Sequence, residues 1–154
     1  MSDDTTEYSP VAGSTLVLGI GNTLLTDEGT GVHVVRHLLE AYPRLPGVTY
    51  LDGGTLSFTL DGDIESAANL VVVDAAELKS PPGTIRCFEN EQMDTFLGTA
   101  KMSVHEVGLL DLMDVARLTG RLPSRRLLVG IQPSVFEWGT EPSAPVAAAI
   151  PDAA

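Results

Sequence analysis

The sequence predicts an α/β fold, a three-layer αβα sandwich around a single doubly wound, mainly parallel sheet of about five strands. Three observations predict it. Residues 15–20, 69–74 and 127–131 are short apolar runs without polar alternation, the pattern of parallel strands buried on both faces. Segments with helical periodicity separate them, and the first three strand units each end in an acidic residue or deliver one just beyond: Glu28, Asp52 and Asp74.

The whole-chain composition sets the outer bounds. The 154 residues fit one domain, with 1–13 a polar tail and 14–154 the folded unit. Lys and Arg number 9 against 21 Asp and Glu, a net charge of −12, which disfavours nucleic acid and anionic membranes as partners. The single cysteine, Cys87, forms no internal disulfide, and the acidic start lacks the basic-then-apolar pattern of a signal peptide. No apolar run is long enough to span a bilayer, so the expectation is a cytoplasmic protein; a monomer is expected.

The first strand stops at Gly19 and Gly21, whose missing side chains allow a sharp turn or a close approach. A dinucleotide site would need a third glycine where Leu24 stands, and its pyrophosphate would meet Asp27 and Glu28, so a nucleotide-binding module is the weakest alternative. The two carboxylates point either to cation binding or to capping of the helix that follows. That helix, 31–41, places Val32, Val35 and Leu39 on one face and His33, Arg36, His37 and Glu40 on a solvated opposite face. His33 and His37 have the spacing of a zinc pair but lack the glutamate beside the first histidine of the zinc-protease helix.

A strand over 48–51 follows and ends at Asp52-Gly53-Gly54. Right-handed crossover makes it parallel to the first strand, so Asp52 and Glu28 approach one sheet edge. Residues 55–67 predict a helix with Leu60 and Ile64 inward. The strand over 69–74 then brings Asp74 to the same edge. Residues 84–88 predict an edge strand in which Cys87 is a small packed residue. After a short helix or loop over 89–99, Ser103 and Glu106 form a capping box. On the ensuing helix His105 shares the apolar face of Leu109, Leu112 and Ala116. The last strand runs into Gln132-Pro133, and Pro142, Pro145 and Pro151 leave room for only a short final helix.

Glu28, Asp74 and His105 thus compose a mixed oxygen and nitrogen set suited to a borderline divalent metal such as nickel or zinc, with coordination positions left open. Asp52 is a fourth polar group, available to orient a water or act as a base.

The motifs Leu18-Gly19-Ile20-Gly21-Asn22 with Leu25, Asp27-Glu28 and Gly31, then Asp52-Gly53-Gly54, Asp74-Ala75, and His105 before Gly108-Leu109, resemble those of the hydrogenase maturation proteases. The resemblance runs in order over about residues 15–133. It implies an endopeptidase that removes the C-terminal extension of the precursor large subunit of a nickel-iron hydrogenase after nickel insertion. It further implies that Glu28, Asp74 and His105 bind metal. Asp52, with Gly53 and Gly54 at the substrate, would serve cleavage or recognition, and Glu28 is the other candidate catalytic carboxylate. The nickel would be that of the precursor, another divalent metal replacing it in vitro. Metallo-type and aspartate-type chemistry both remain open. A non-enzymatic nickel-binding chaperone could use the same three ligands.

Overall fold

The computed structural model describes residues 14–43, 45–54, 60–99, 104–134 and 138–153. Five strands, β1 (Thr15–Ile20), β2 (Val48–Gly54), β3 (Asn69–Ala75), β4 (Ile85–Glu89) and β5 (Arg125–Ile131), form one sheet in the order β2-β1-β3-β5-β4. The first four in that order are parallel and β4 runs antiparallel along the edge. The predicted fold class and edge placement both hold. The expected N-terminal tail, 1–13, and the Ser103 cap lie outside the described residues.

Alternation along the strands sorts their side chains into two apolar layers. Leu16, Leu18, Ile20, Leu70, Val72 and Leu128 pack against α2 (Asp61–Glu65), α3 (Glu91–Thr99) and α4 (Val104–Leu118). Val73, Val129 and Ile131 pack on the other face, against Val34 of α1 (Thr30–Ala41) and Val146 and Ala149 of α5 (Ala144–Ala153). The final helix is short, as its prolines require: Pro145 sits in its first turn, and Pro151 lies near its end.

Several element-level expectations are corrected. Strand β2 extends beyond residue 51 through Gly54, because its Asp-Gly-Gly end keeps pairing with β1 across a register shift between Gly19 and Ile20. The helix expected over 55–67 is described only as α2, a single short turn-like element, with 55–59 outside the described residues. On α1, Leu39 is exposed while Val34 is buried. This helix packs against both the sheet and α5, so its buried arc is displaced from the one that a single-sided amphipathic reading assigns. The same two-sided packing leaves His33 half-buried. Cys87 is exposed on β4, because this edge strand lies at the margin of both covering layers and none of its side chains is fully buried.

Two glycines let the β1–α1 unit close. Gly21 has φ +139°, and a Cβ there would lie 1.8 Å from the Glu28 carbonyl oxygen. At Gly31 a Cβ would lie 2.1 Å from the Val73 carbonyl oxygen, so the first turn of α1 rests directly on the sheet backbone.

Candidate active site

The candidate residues gather at the C-terminal ends of β1, β2 and β3, the edge where open α/β sheets carry their ligands. Because β1 is central to these three, Gly19 is in register with Asp52 on one side and Val73 on the other. The Gly21 N–H donates to the Gly54 carbonyl at 2.8 Å, joining the glycine turn to the Asp-Gly-Gly end. Asp52 is exposed. Its Oδ1 accepts the Gly54 N–H at 2.9 Å, and Oδ2 stands 3.9 Å from the Arg36 guanidinium. One oxygen therefore closes a local turn, and the other faces outward.

Asp74 is 1% exposed. Strand alternation puts it on the face of Leu70 and Val72, toward the α2–α3–α4 layer. The direction of α4 follows from the topology. The chain leaves its C-terminus at Leu118 and enters β5 at Arg125, which pairs with Asn69 at the opposite, N-terminal edge. Ala67 and Gly120 line one shallow cleft there, so α4 runs antiparallel to the strands. Fifteen helical residues rise about 22 Å, close to the roughly 23 Å spanned by a seven-residue strand. The first turn of α4, with His105, is thus returned to the Asp74 edge and the Asp74 face. The buried Leu109, Leu112 and Ala116 bear out the apolar face read from the sequence, while the His105 side chain lies outside the described residues. Among the described residues no three His, Cys, Asp or Glu side chains form a metal-holding group.

Glu28 reaches this edge on a 3-10 turn, Thr26–Gly29, whose neighbour Asp27 is buried to 0% exposure. Sequence spacing treats the two carboxylates alike, but the structure separates them. Asp27 Oδ1 accepts the Ser143 N–H at 2.6 Å, and Oδ2 accepts the Ser134 N–H and the Ser143 hydroxyl, each at 2.7 Å. The same C-terminal segment pairs with the loop through Gly139, whose N–H donates to Leu24 and whose carbonyl accepts from Thr26, both at 2.9 Å. Thr26 has φ +41°, an unfavourable conformation for a β-branched residue. Asp27 therefore fastens the loop that presents Glu28. A polar residue beside the candidate ligand was the sequence signal, but its partners lie 107 and 116 residues away.

Gln132 is a second residue whose role emerges only here. Its Oε1 accepts the Leu78 N–H at 2.6 Å, which ties the loop after β3 to the end of β5 just beyond Asp74. A cleft lined by Thr15, Asn69, Asn90 and Arg126 opens at the far edge and contains none of the candidate residues.

His33 lies on α1 with Nε2 buried and without a hydrogen-bond partner among the described residues. Burial, reinforced by the Arg36 charge and opposed by Glu141, lowers its pKa below the ordinary 6.5. The unfolded chain then takes up this proton before the folded one does. The stability associated with neutral His33 is full above the unfolded pKa and declines as pH falls through 6.5 toward the lower folded value. His33→Gln is expected to reduce the loss of urea midpoint between about pH 7.5 and pH 5.5. An unchanged loss would show that this histidine does not contribute.

Fold and edge together define an α/β protein with a carboxylate-rich site at the strand ends. A family model described as hydrogenase maturation protease matches residues 32–154, and this chain belongs to that family. It is 40% identical over 145 residues to the hydrogenase expression/formation protein HupD of Rhizobium leguminosarum bv. viciae, covering 94% of this chain and 72% of that protein. It is 39% identical over 122 residues to the hydrogenase expression/formation protein HoxM of Cupriavidus necator, covering 79% of this chain but only 60% of that relative's length. The solved hydrogenase maturating endopeptidase HybD from Escherichia coli superposes with a TM-score of 0.85 at 38% identity, covering 91% of this chain and 86% of that one.

Proposed function

We propose that this chain is an endopeptidase that removes the C-terminal extension of the precursor large subunit of a nickel-iron hydrogenase once nickel has been inserted. The carrying observation is the convergence of Glu28, Asp52 and Asp74 on one strand edge, with the first turn of α4 returned to it, in a chain of the maturation protease family. Nickel here belongs to the substrate. Glu28, Asp74 and His105 would hold it, a donor set of two carboxylates and one imidazole that suits a borderline divalent ion. Ligation would fix the scissile peptide at the edge where Asp52 stands.

In hydrolysis a water oxygen bonds to the carbonyl carbon and the carbon–nitrogen bond breaks. We assign the water proton to Asp52 Oδ2, because Oδ1 is already engaged by the Gly54 N–H. That proton passes to the departing amine. Gly53 and Gly54 end β2 beside this group and would bind substrate backbone. The cytoplasm is the expected compartment, and no helix among the described residues is long and apolar enough to cross a membrane.

The test is the intact mass of a nickel-loaded precursor before and after incubation, beside a nickel-free precursor. Loss of one C-terminal peptide from the nickel-loaded sample alone is expected. Cleavage of both samples would keep the endopeptidase and remove the nickel requirement. Two unchanged masses would favour a nickel-binding chaperone.

A further inference from the structure

The segment that fastens the Glu28 loop also carries the chain's one tryptophan, Trp138, which is 79% exposed. Leu25 and Gly139 form a parallel bridge, closed by the Gly139 N–H to Leu24 and the Thr26 N–H to Gly139. Leu24 and Trp138 each immediately precede a bridge partner, and the Gly139 N–H bond to the Leu24 carbonyl holds the two stretches of backbone side by side. Leu24 is itself 52% exposed. Two exposed large apolar residues thus flank the bridge, on a rim that begins four residues before Glu28. The Asp27 hydrogen bonds to Ser134 and Ser143 hold that rim in place. A large aromatic on an anchored support, next to a polar site, has the makings of a binding hot spot.

The surrounding charge selects the occupant. Glu28 follows Leu24 by four residues and the exposed Glu141 follows Trp138 by three, in a chain of net charge −12. A second copy of this chain would bring like charges together, whereas a segment with an apolar side chain next to a basic one would be complementary. We infer that Leu24 and Trp138 form the docking patch for an apolar side chain of the protein substrate, carried on a segment that also bears positive charge. This inference rests on the endopeptidase reading for the identity of that substrate.

The single tryptophan makes the patch directly observable. Fluorotryptophan incorporated into the full chain gives one fluorine resonance, from Trp138. Adding unlabelled nickel-loaded precursor is expected to shift it. In cleavage assays Trp138→Ala and Leu24→Ala are each expected to raise KM about tenfold with kcat within about twofold, and Trp138→Phe to recover most of the loss. Leu118→Ala supplies the control, because Leu118 is 88% exposed at the opposite end of α4 and should leave KM unchanged.

If precursor is cleaved but the resonance stays still and KM is unaltered, the docking patch is refuted while the endopeptidase stands. If precursor is not cleaved, a shifted resonance still supports docking and the proteolytic reading falls. An unshifted resonance in the absence of cleavage overturns both. A shift that follows the concentration of this chain alone would assign the patch to self-association and overturn the inference.

Discussion

Asp27→Asn is expected to lower the stability of the fold by about 3 kcal/mol, the scale of breaking a buried, charge-assisted hydrogen-bond set. The reason is donor against donor. Whichever way the amide is turned, its NH2 faces a backbone N–H, that of Ser134 or that of Ser143, at the 2.6–2.7 Å separations seen for the carboxylate. A backbone N–H cannot rotate away as a hydroxyl can. For a domain of this size the loss corresponds to about 10 °C in thermal midpoint. Ser143→Ala, which removes only the hydroxyl bond, should cost about 1 kcal/mol. Thermal melts of the two variants check both values. If Asp27→Asn melts like the parent chain, the carboxylate is not the fastening that holds the C-terminal segment to the acidic loop.

The second large effect concerns Asp52. With Oδ1 accepting from Gly54, Oδ2 is the oxygen facing outward at the strand edge. Asp52→Asn can retain the local turn through its amide oxygen, and the backbone of β2 need not change. What it removes is the capacity to accept a proton, so kcat for precursor cleavage is expected to fall by about 10²–10⁴-fold, the range for loss of a positioned general base. The exposed position predicts little change in melting temperature, which separates a chemical defect from a folding one. Single-turnover cleavage with nickel-loaded precursor gives the comparison directly. Cleavage that survives at the parental rate would exclude Asp52 as the base and leave Glu28 as the remaining carboxylate candidate.

The contrast between these two aspartates shows where sequence reasoning reaches and where it stops. Strands β1, β3 and β5 were legible because a strand covered on both faces must be apolar throughout, and that requirement is local. Asp52 and Asp74 were legible for the related reason that a carboxylate ending such a run can only emerge at the sheet edge. Right-handed crossover then puts successive ends together without any knowledge of side-chain packing. The role of Asp27 was not legible. Capping and cation binding are the local options for an acidic residue before a helix, and neither describes a carboxylate that receives Ser134 and Ser143 from the far end of the chain.

Packing against two neighbours obscured α1 in a similar way. A helix read alone has one apolar stripe, which selects Val35 and Leu39. With the sheet on one side and α5 on another, Val34 is buried and Leu39 is left in solvent. The half-burial of His33 has the same origin.

What the sequence determined by itself is the α/β class, the strand edge at which the acidic residues assemble and the order in which they arrive, since these depend on apolar periodicity and chain handedness. Only the tertiary structure decided which acidic residue is buried as a fastening and which is left facing outward. It likewise decided that the C-terminal segment, with Trp138, borders the site. Those outcomes depend on hydrogen-bond donors and packing surfaces more than a hundred residues distant, and no local pattern encodes where such partners will fold.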